Sequence, residues 1–323
     1  MISLSKDTVI FRSQVFKMVR EILSRNEFLE VDTPTFKPVV GMEPYLDPFE
    51  VRSPNGREKG YLITSPEYSL KQMMATGLDR IFELAHTYRS GEMGSGVHSK
   101  EFVMLELYAK EMDDVILRHF IEKFLRELIS ALGREKDKKN LTNPKWIRHL
   151  SVEEVFLQNL GHGFLKEDLI KTITSKKLSN TPVSELNRWQ YEDLFFLVFL
   201  NLVEPKLGEG IVFLYDYPPE CAALAKIVDG VAKRFEIYWD GLELANAFYE
   251  LSDVEEQRKR FSEEQELRAK LGKEVFPLDE DFLGCLENGF PNCSGISIGM
   301  DRLILKLSGK NGLNEVSPYW MEV

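Results

Sequence analysis

The 323-residue sequence predicts an α+β fold: a mainly antiparallel β-sheet flanked by helices. Two observations carry this. Strand-like runs come in groups instead of alternating one for one with helices, which argues against a parallel doubly wound sheet. Two neighbouring runs, RIFELAHTYR and EFVMLELYA, are joined only by a glycine-rich loop (Gly91, Gly94, Gly96), the arrangement of an antiparallel hairpin with a long connection.

Taken in order, the elements announce themselves by spacing. Phe11, Val15, Val19, Ile22 and Leu23 recur at helical intervals, with Arg12, Lys17, Arg20 and Glu21 on the other face. FLEVDTP then reads as a short strand stopped by Pro34. Ser65-Pro66-Glu67 signals a second helix through a capping hydroxyl, a first-turn proline and an acid favoured by the helix dipole. Gly77 suits that helix's left-handed end. After the hairpin, the chain reads as helical from Met112 to about Lys206 with short breaks. A strand GIVFLYDYP, a helix entered at Pro218-Pro219 and a strand FEIYWDGLEL follow. A charged helix over 254–271 precedes CSGISIGMDRLILKLSG, a glycine-punctuated strand feeding an apolar helix.

Composition narrows the class. With 43% hydrophobic and 29% charged residues, the chain has enough apolar material for a core and is not of disordered type. Its longest apolar run, LFFLVFL, is far short of the roughly 20 residues of a membrane span. Three cysteines (Cys221, Cys285, Cys293) without a Cys-x-x-Cys pair suggest neither a disulfide framework nor a zinc site. The opening residues have no apolar stretch of signal-peptide length, so a cytoplasmic protein is expected. A net charge of −11 disfavours general binding to nucleic acid, although residues 131–190 are net basic. That stretch is either a solvated helical surface or a local dock for an acidic partner.

Several residues look chemical. In EFVMLELYA, alternation puts Val103, Leu105, Leu107 and Ala109 on one face and Phe102, Met104, Glu106 and Tyr108 on the other. A carboxylate in such a row is costly to bury without a cationic or hydrogen-bonding partner; it is either a solvated or Arg-paired sheet residue or the partner of a substrate ammonium. Arg89, at the mouth of the glycine-rich loop, is either a surface residue or a two-point phosphate clamp. GISIGMDR lacks the spacing of a phosphate loop, but its glycines admit close approach of a backbone or ligand, and Arg302 opens the next helix. Glu243 and Glu250 bracket LANAFY; seven residues apart, they share a face in a helix, whereas in a strand a joint magnesium site needs a bulge or a strand end.

In this order, these segments resemble the catalytic domain of class II aminoacyl-tRNA synthetases of the lysyl type, over nearly the whole chain. The helix and strand ending at Pro34 resemble the first class II motif, TYRSGEMGSGVHSKEFVMLELYA the second, and GISIGMDRLILKLSG the third, with Asp301 where Glu is commoner. LITSPEYSLK and GLELANAFYEL are similar to lysyl-type connectors. The resemblance implies one catalytic domain over 1–323, with a mostly helical insertion at about 113–206 and no anticodon-binding domain, since the first motif's helix begins by about Asp7.

It also implies ATP-dependent activation of (R)-β-lysine or lysine as an acyl-adenylate. The acceptor is then the ε-amine of a lysine on translation elongation factor P, and the enzyme is a homodimer for which tRNA is a poor acceptor. A truncated tRNA-charging enzyme and a non-catalytic regulatory paralogue are the alternatives.

Carried over by motif, Arg89 and Arg302 are catalytic, holding the α-phosphate and the terminal phosphates. ATP falls to Arg89, Ser90, Gly91, Glu92, His98, Ser99, Phe102, Glu243, Leu244, Gly299 and Arg302, with Phe102 stacking on adenine. The family's Arg-Asn-Glu here reads Arg89-Ser90-Gly91-Glu92, so either Glu92 or backbone groups contact adenine. Ser65, Pro66, Glu67, Glu106, Tyr108, Asn246, Glu250 and Ser297 fall to the amino-acid substrate, and Glu243 and Glu250 to Mg²⁺.

Overall fold

The computed structural model describes residues 4–91 and 96–320. The chain begins with α1 (Lys6–Arg25), β1 (Leu29–Glu30), β2 (Phe36–Lys37), β3 (Phe49–Arg52), β4 (Lys59–Leu62) and α2 (Glu67–Ala75). The hairpin β5 (Arg80–Tyr88) and β6 (Glu101–Lys110) leads into α3 (Asp114–Leu132) and α4 (Glu135–Asn140). Then come β7 (Ile147–Ser151), α5 (Val152–Leu160), α6 (Lys166–Lys176), α7 (Val183–Leu186) and α8 (Tyr191–Val198). After β8 (Ile211–Tyr217), β9 (Ile227–Val228), β10 (Val231–Trp239) and β11 (Leu242–Tyr249), the chain closes with α9 (Val254–Lys270), α10 (Glu280–Glu287), β12 (Cys293–Gly299) and α11 (Met300–Ser308). Two compact units result, one of residues 1–139 and 249–323, the other of residues 140–248.

In the first unit the strands run in the order β1-β5-β6-β12. β1 joins β5 in parallel, and the other two pairings are antiparallel. The expected hairpin is present, with Glu83 opposite Glu106 and Thr87 opposite Phe102. Its apolar row is buried as alternation requires: Leu105, Leu107 and Ala109 are fully covered. Ser5 starts α1 by accepting the Thr8 amide at 3.2 Å, and the helix buries Val15, Val19, Ile22 and Leu23. α2 packs on β5 and β6, and α11 on β6 and β12, so the LITSPEYSLK connector and the second and third motif segments share one sheet. A small sheet of order β2-β4-β3 lies beside the segment that carries Glu43.

The second unit has strands in the order β11-β10-β8-β7, with β9 on β10. Its core is aromatic and aliphatic: Phe156, Leu169, Ile173, Phe195 and Phe199 close over Leu214, Tyr217 and Tyr238.

Three local expectations are corrected. FEIYWDGLEL is not one strand. Asp240 (φ 47°) and Gly241 (φ 73°) both take left-handed conformations and make the two-residue hairpin turn between β10 and β11. The helix expected at Pro218-Pro219 is only a 3₁₀ turn, Pro219–Cys221; Ala223 goes left-handed (φ 47°), and the Cys221 carbonyl is taken by the Arg234 guanidinium at 3.0 Å. The helical run to Lys206 is interrupted by β7, which pairs in parallel with β8.

Candidate active site

The site is built around β6. Glu106 is fully buried. Its carboxylate accepts the Tyr108 hydroxyl at 2.6 Å and the Ser65 hydroxyl at 3.0 Å, and the Ser297 hydroxyl also hydrogen-bonds to it. Ser297 reaches it because β12 pairs with β6 in a register that sets Ser297 opposite Glu106 and Gly295 opposite Tyr108. Burial pushes the Glu106 carboxyl up to about 8, with the neighbouring Glu67 carboxylate adding to the shift and the three hydroxyls opposing it. A bound cation would reverse that.

Ser65 has a double role. Besides donating to Glu106, its oxygen accepts the Glu67 amide at 2.9 Å; the N-cap position itself falls on Pro66 instead of the expected serine, with no side-chain cap bond. Four residues along that helix from Glu67, Lys71 points inward and is 2% exposed. Its Nζ lies 2.6 Å from Glu67 Oε1 and 2.6 Å from Glu250 Oε2. It also sits over the rings of Tyr108, at 5.9 Å, and Phe282, at 5.8 Å. Burial disfavours the ammonium, but the Glu250 and Glu67 carboxylates outweigh burial and raise its pKa, which favours the charged form.

Glu250 falls one residue beyond the end of β11, and its amide donates to the Cys293 carbonyl at 3.0 Å. Gly295 makes this packing possible. A Cβ there would stand 2.7 Å from Glu250 Oε1 and would collide with the Tyr108 ring.

A cavity beside Ser65 and Glu67 is lined by Lys37, Val40, Gly41 and Glu43. Burial raises the Glu43 carboxyl, and Glu67 raises it further against the pull of Arg89 and Arg268. Arg268 of α9 holds this segment in place: it donates to the carbonyls of Glu43 and Leu46 at 2.9 Å each and pairs with Asp47 at 3.0 Å. The same segment is tied to the glycine-rich loop, where the Ser90 amide donates to the Asp47 carbonyl at 2.7 Å.

Arg89 follows β5 directly. Its amide bonds the Lys100 carbonyl at 2.9 Å, and its guanidinium stands 5.2 Å from the centroid of the Phe102 ring. Gly91 turns the chain with φ 80°, and Glu92 lies outside the described residues. Ser99 donates to the Tyr319 carbonyl at 3.1 Å. Gly299 precedes α11 as its cap, and Arg302 reaches from that helix to the loop, 3.0 Å from His98 Nε2 and donating to the Val97 carbonyl at 3.2 Å. Asp301, the departure from the commoner Glu, faces the other way. It accepts the Arg12 guanidinium at 2.7 Å and the Val103 amide at 2.9 Å, so it ties α1 and β6 together.

The first unit therefore gathers two sets of the residues singled out in the sequence. One is Ser65, Glu67, Glu106, Tyr108, Glu250 and Ser297, with Pro66 as the cap of α2; the other is Arg89, Phe102, His98 and Arg302. Glu243, Leu244 and Asn246 lie on β11 in the second unit. There Asn246 faces Glu236 of β10 and accepts Arg234 Nε at 3.1 Å. Glu236 is buried and accepts the Tyr217 hydroxyl at 2.6 Å, the Tyr238 hydroxyl at 2.5 Å and Arg234 at 2.5 Å. Glu243 pairs across the ladder with Tyr238 and acts electrostatically on Tyr217, Tyr238 and Arg234.

The sequence model of tRNA synthetases class II (D, K and N) matches residues 3–322. The chain belongs to the class II tRNA synthetase family. Among curated relatives, it is 33% identical to a protein of Salmonella typhi over 99% of this chain and 97% of the relative. It is 34% identical to one of Proteus mirabilis (strain HI4320) over 97% of this chain and 95% of the relative. Both are named elongation factor P–(R)-β-lysine ligase. This family couples amino acids to acceptors at the expense of ATP.

Four residues of this class II chain escaped the sequence reading. Lys71 was visible as the basic residue four places after Glu67 on a helix, the spacing of a shared face, but nothing local says that the face is buried. Glu236 stood inside a strand run next to Arg234, and its two tyrosine donors come from β8 and from β10 itself. Glu43 and Arg268 meet only through the fold, 225 residues apart in sequence, and no periodicity marks such a pair.

Proposed function

We propose that this class II chain activates (R)-β-lysine or lysine with ATP and transfers the acyl group to the ε-amine of a lysine on translation elongation factor P. The observation that carries the proposal is the buried carboxylate set of Glu67, Glu106 and Glu250, whose charge suits a substrate rich in ammonium groups. The names of the relatives from Salmonella typhi and Proteus mirabilis support the choice of amino acid and acceptor.

In the first step a substrate carboxylate oxygen attacks the α-phosphorus of ATP, and pyrophosphate leaves. Arg89 neutralises charge building on the α-phosphate, while Phe102, stacked beneath that guanidinium, offers its ring to adenine. Arg302 and His98 meet the terminal phosphates, with Ser90, Gly91, Ser99 and Gly299 shaping the loop and helix start around them. In the second step the acceptor's neutral amine attacks the acyl carbonyl, AMP leaves, and the amine loses a proton. No side-chain nucleophile is needed; positioning and charge carry the rate.

Mg²⁺, when bound, supplies charge neutralisation on the nucleotide phosphates. Glu243 and Glu250 are the carboxylates assigned to it, and Glu250 also carries the Lys71 ammonium. Glu250 is assigned to the substrate, with Asn246 as an amide contact. The whole chain works as one catalytic domain, its insertion at 113–206 available to the acceptor. The active form is a homodimer joined around residues 28–34, where Leu29 and nearby Phe36 expose about half their surface. No helix among the described residues is long and apolar enough to cross a membrane, which accords with a cytoplasmic enzyme.

Pyrophosphate exchange with (R)-β-lysine and L-lysine side by side tests activation. Mass spectrometry of elongation factor P and charging assays with tRNA test the acceptor. Exchange with neither amino acid, or efficient tRNA charging beside an unmodified factor, would reject the reading.

A further inference from the structure

The three carboxylates of the amino-acid pocket do not face the substrate alone, because the protein places its own ammonium among them. Lys71 Nζ is within 2.6 Å of both Glu67 and Glu250. It is fixed from above and beside by Tyr108 and Phe282, and Phe282 is itself stacked on Tyr68 with ring centroids 4.5 Å apart. Tyr108 in turn donates to Glu106, so one contact chain runs from Lys71 through a ring to the third carboxylate. An ammonium on so long and flexible a stem, with almost no exposure, is costly to desolvate unless it is paired on more than one side. Here it is.

We propose that Lys71 is a positioning residue of the amino-acid pocket: a built-in ammonium that fixes Glu67 and Glu250 and leaves the pocket two negative charges, the complement of a substrate with two ammonium groups. This rests on the reading of that pocket as the diamino-acid site. Glu67, Glu106 and Glu250 contribute three negative charges when ionised, and Lys71 cancels one. Glu43 lines the cavity beside Glu67, and burial and that carboxylate both raise its carboxyl, which favours its neutral form. A substrate with a single ammonium leaves one buried carboxylate uncompensated, which selects against it without any steric wall. The inner cation also offsets part of the Glu67 charge that raises the proton affinity of Glu106.

The groups facing Glu106 are Glu67 on α2, Tyr108 on β6, Ser297 on β12 and Ser65 before α2. Removing Lys71 adds net negative charge to this set and makes Glu106 harder to ionise. Substrate capture needs an ionised Glu106, so the acidic limb of kcat/KM for the amino acid must move to higher pH.

The test is steady-state pyrophosphate exchange across about pH 6 to 9.5 with the wild type, Lys71→Met and Lys71→Arg. Lys71→Met should raise KM for the diamino acid about tenfold or more. It should leave KM for ATP within about twofold and shift the acidic limb upward by about one pH unit. Lys71→Arg, which keeps the charge, should retain the wild-type limb. A folded Lys71→Met with the wild-type KM and limb overturns the proposal, as does an equal rise in both KM values. If Lys71→Met does not fold, Lys71→Met/Glu250→Gln removes the pair together and keeps the same net charge. A limb at the wild-type pH in that variant supports the proposal, and a displaced limb overturns it. A wild type inactive with every diamino acid overturns both this inference and the function on which it rests. An active wild type indifferent to Lys71 overturns this inference alone.

Discussion

The Arg12 guanidinium donates to Asp301 at 2.7 Å across 289 residues of sequence, and the other Asp301 oxygen accepts the Val103 amide. The first and last helices are thereby locked onto the strand that carries Glu106. Both partners are buried. Asp301→Ala would leave the buried Arg12 cation with the Val316 carbonyl but no carboxylate, and the buried Val103 amide unsatisfied, and should cost about 3–5 kcal/mol in urea unfolding. Lengthening the side chain by one methylene in Asp301→Glu should cost about 1–3 kcal/mol through crowding. A wild-type midpoint for Asp301→Ala would show that this tie contributes little.

Gly295 offers a cleaner probe of the pocket. Its backbone needs no left-handed conformation, so Gly295→Ala acts through space alone, driving a methyl group into the Tyr108 ring and against Glu250. We expect a stability loss of about 1–3 kcal/mol. KM for the amino acid should rise much more than KM for ATP. Comparable changes in both constants would place this crowding outside the amino-acid pocket.

Glu106 gives a pH signature with a definite sign. Its carboxyl is raised in the folded protein to about 8 from an ordinary value of 4.5, so the native state holds the proton more tightly than the unfolded chain. Its contribution to stability is therefore fully present below about pH 4.5 and is lost as pH climbs through about 8. Glu106→Gln cannot ionise. Its melting temperature should gain on the wild type as pH rises through that window, while its amino-acid activation falls steeply. A melting difference that is flat between about pH 5 and 9 would contradict the burial-driven shift.

Arg89→Ala should lower kcat for adenylate formation as well as weaken ATP binding, because a guanidinium at the α-phosphate matters most when that phosphorus becomes five-coordinate. A loss of about 2.7–4 kcal/mol is typical for one such donor. Single-turnover adenylate formation separates the two effects. A change confined to KM for ATP would remove Arg89 from the reacting centre.

Much of the architecture was legible in the residues. The β5–β6 hairpin followed from two alternating runs and a glycine-rich connector, and the face of β6 bearing Glu106 followed from a period of two. The carboxylate's need for partners was also foreseeable, and the fold supplies them as Ser65, Tyr108 and Ser297. Two losses were local: the Asp240-Gly241 turn was read through as strand, and prolines that suit a helix start opened only a 3₁₀ turn. The deeper loss was tertiary. Lys71 looks like any solvated helix lysine until β6, α10 and the segment after β11 close around it. Glu236 reads as an ordinary strand acid until Tyr217 and Tyr238 both turn their hydroxyls to it.

The central claim is that the pocket around Glu106 activates a diamino acid for transfer to a protein. Its most direct test is one incubation of purified enzyme, ATP, Mg²⁺ and (R)-β-lysine with elongation factor P, read by intact-protein and peptide mass spectrometry, with Glu106→Gln in parallel. The account predicts a single acyl addition on one lysine of the factor with the wild type, and loss of that addition with the variant. An unmodified factor, or equal modification by the wild type and Glu106→Gln, would contradict it.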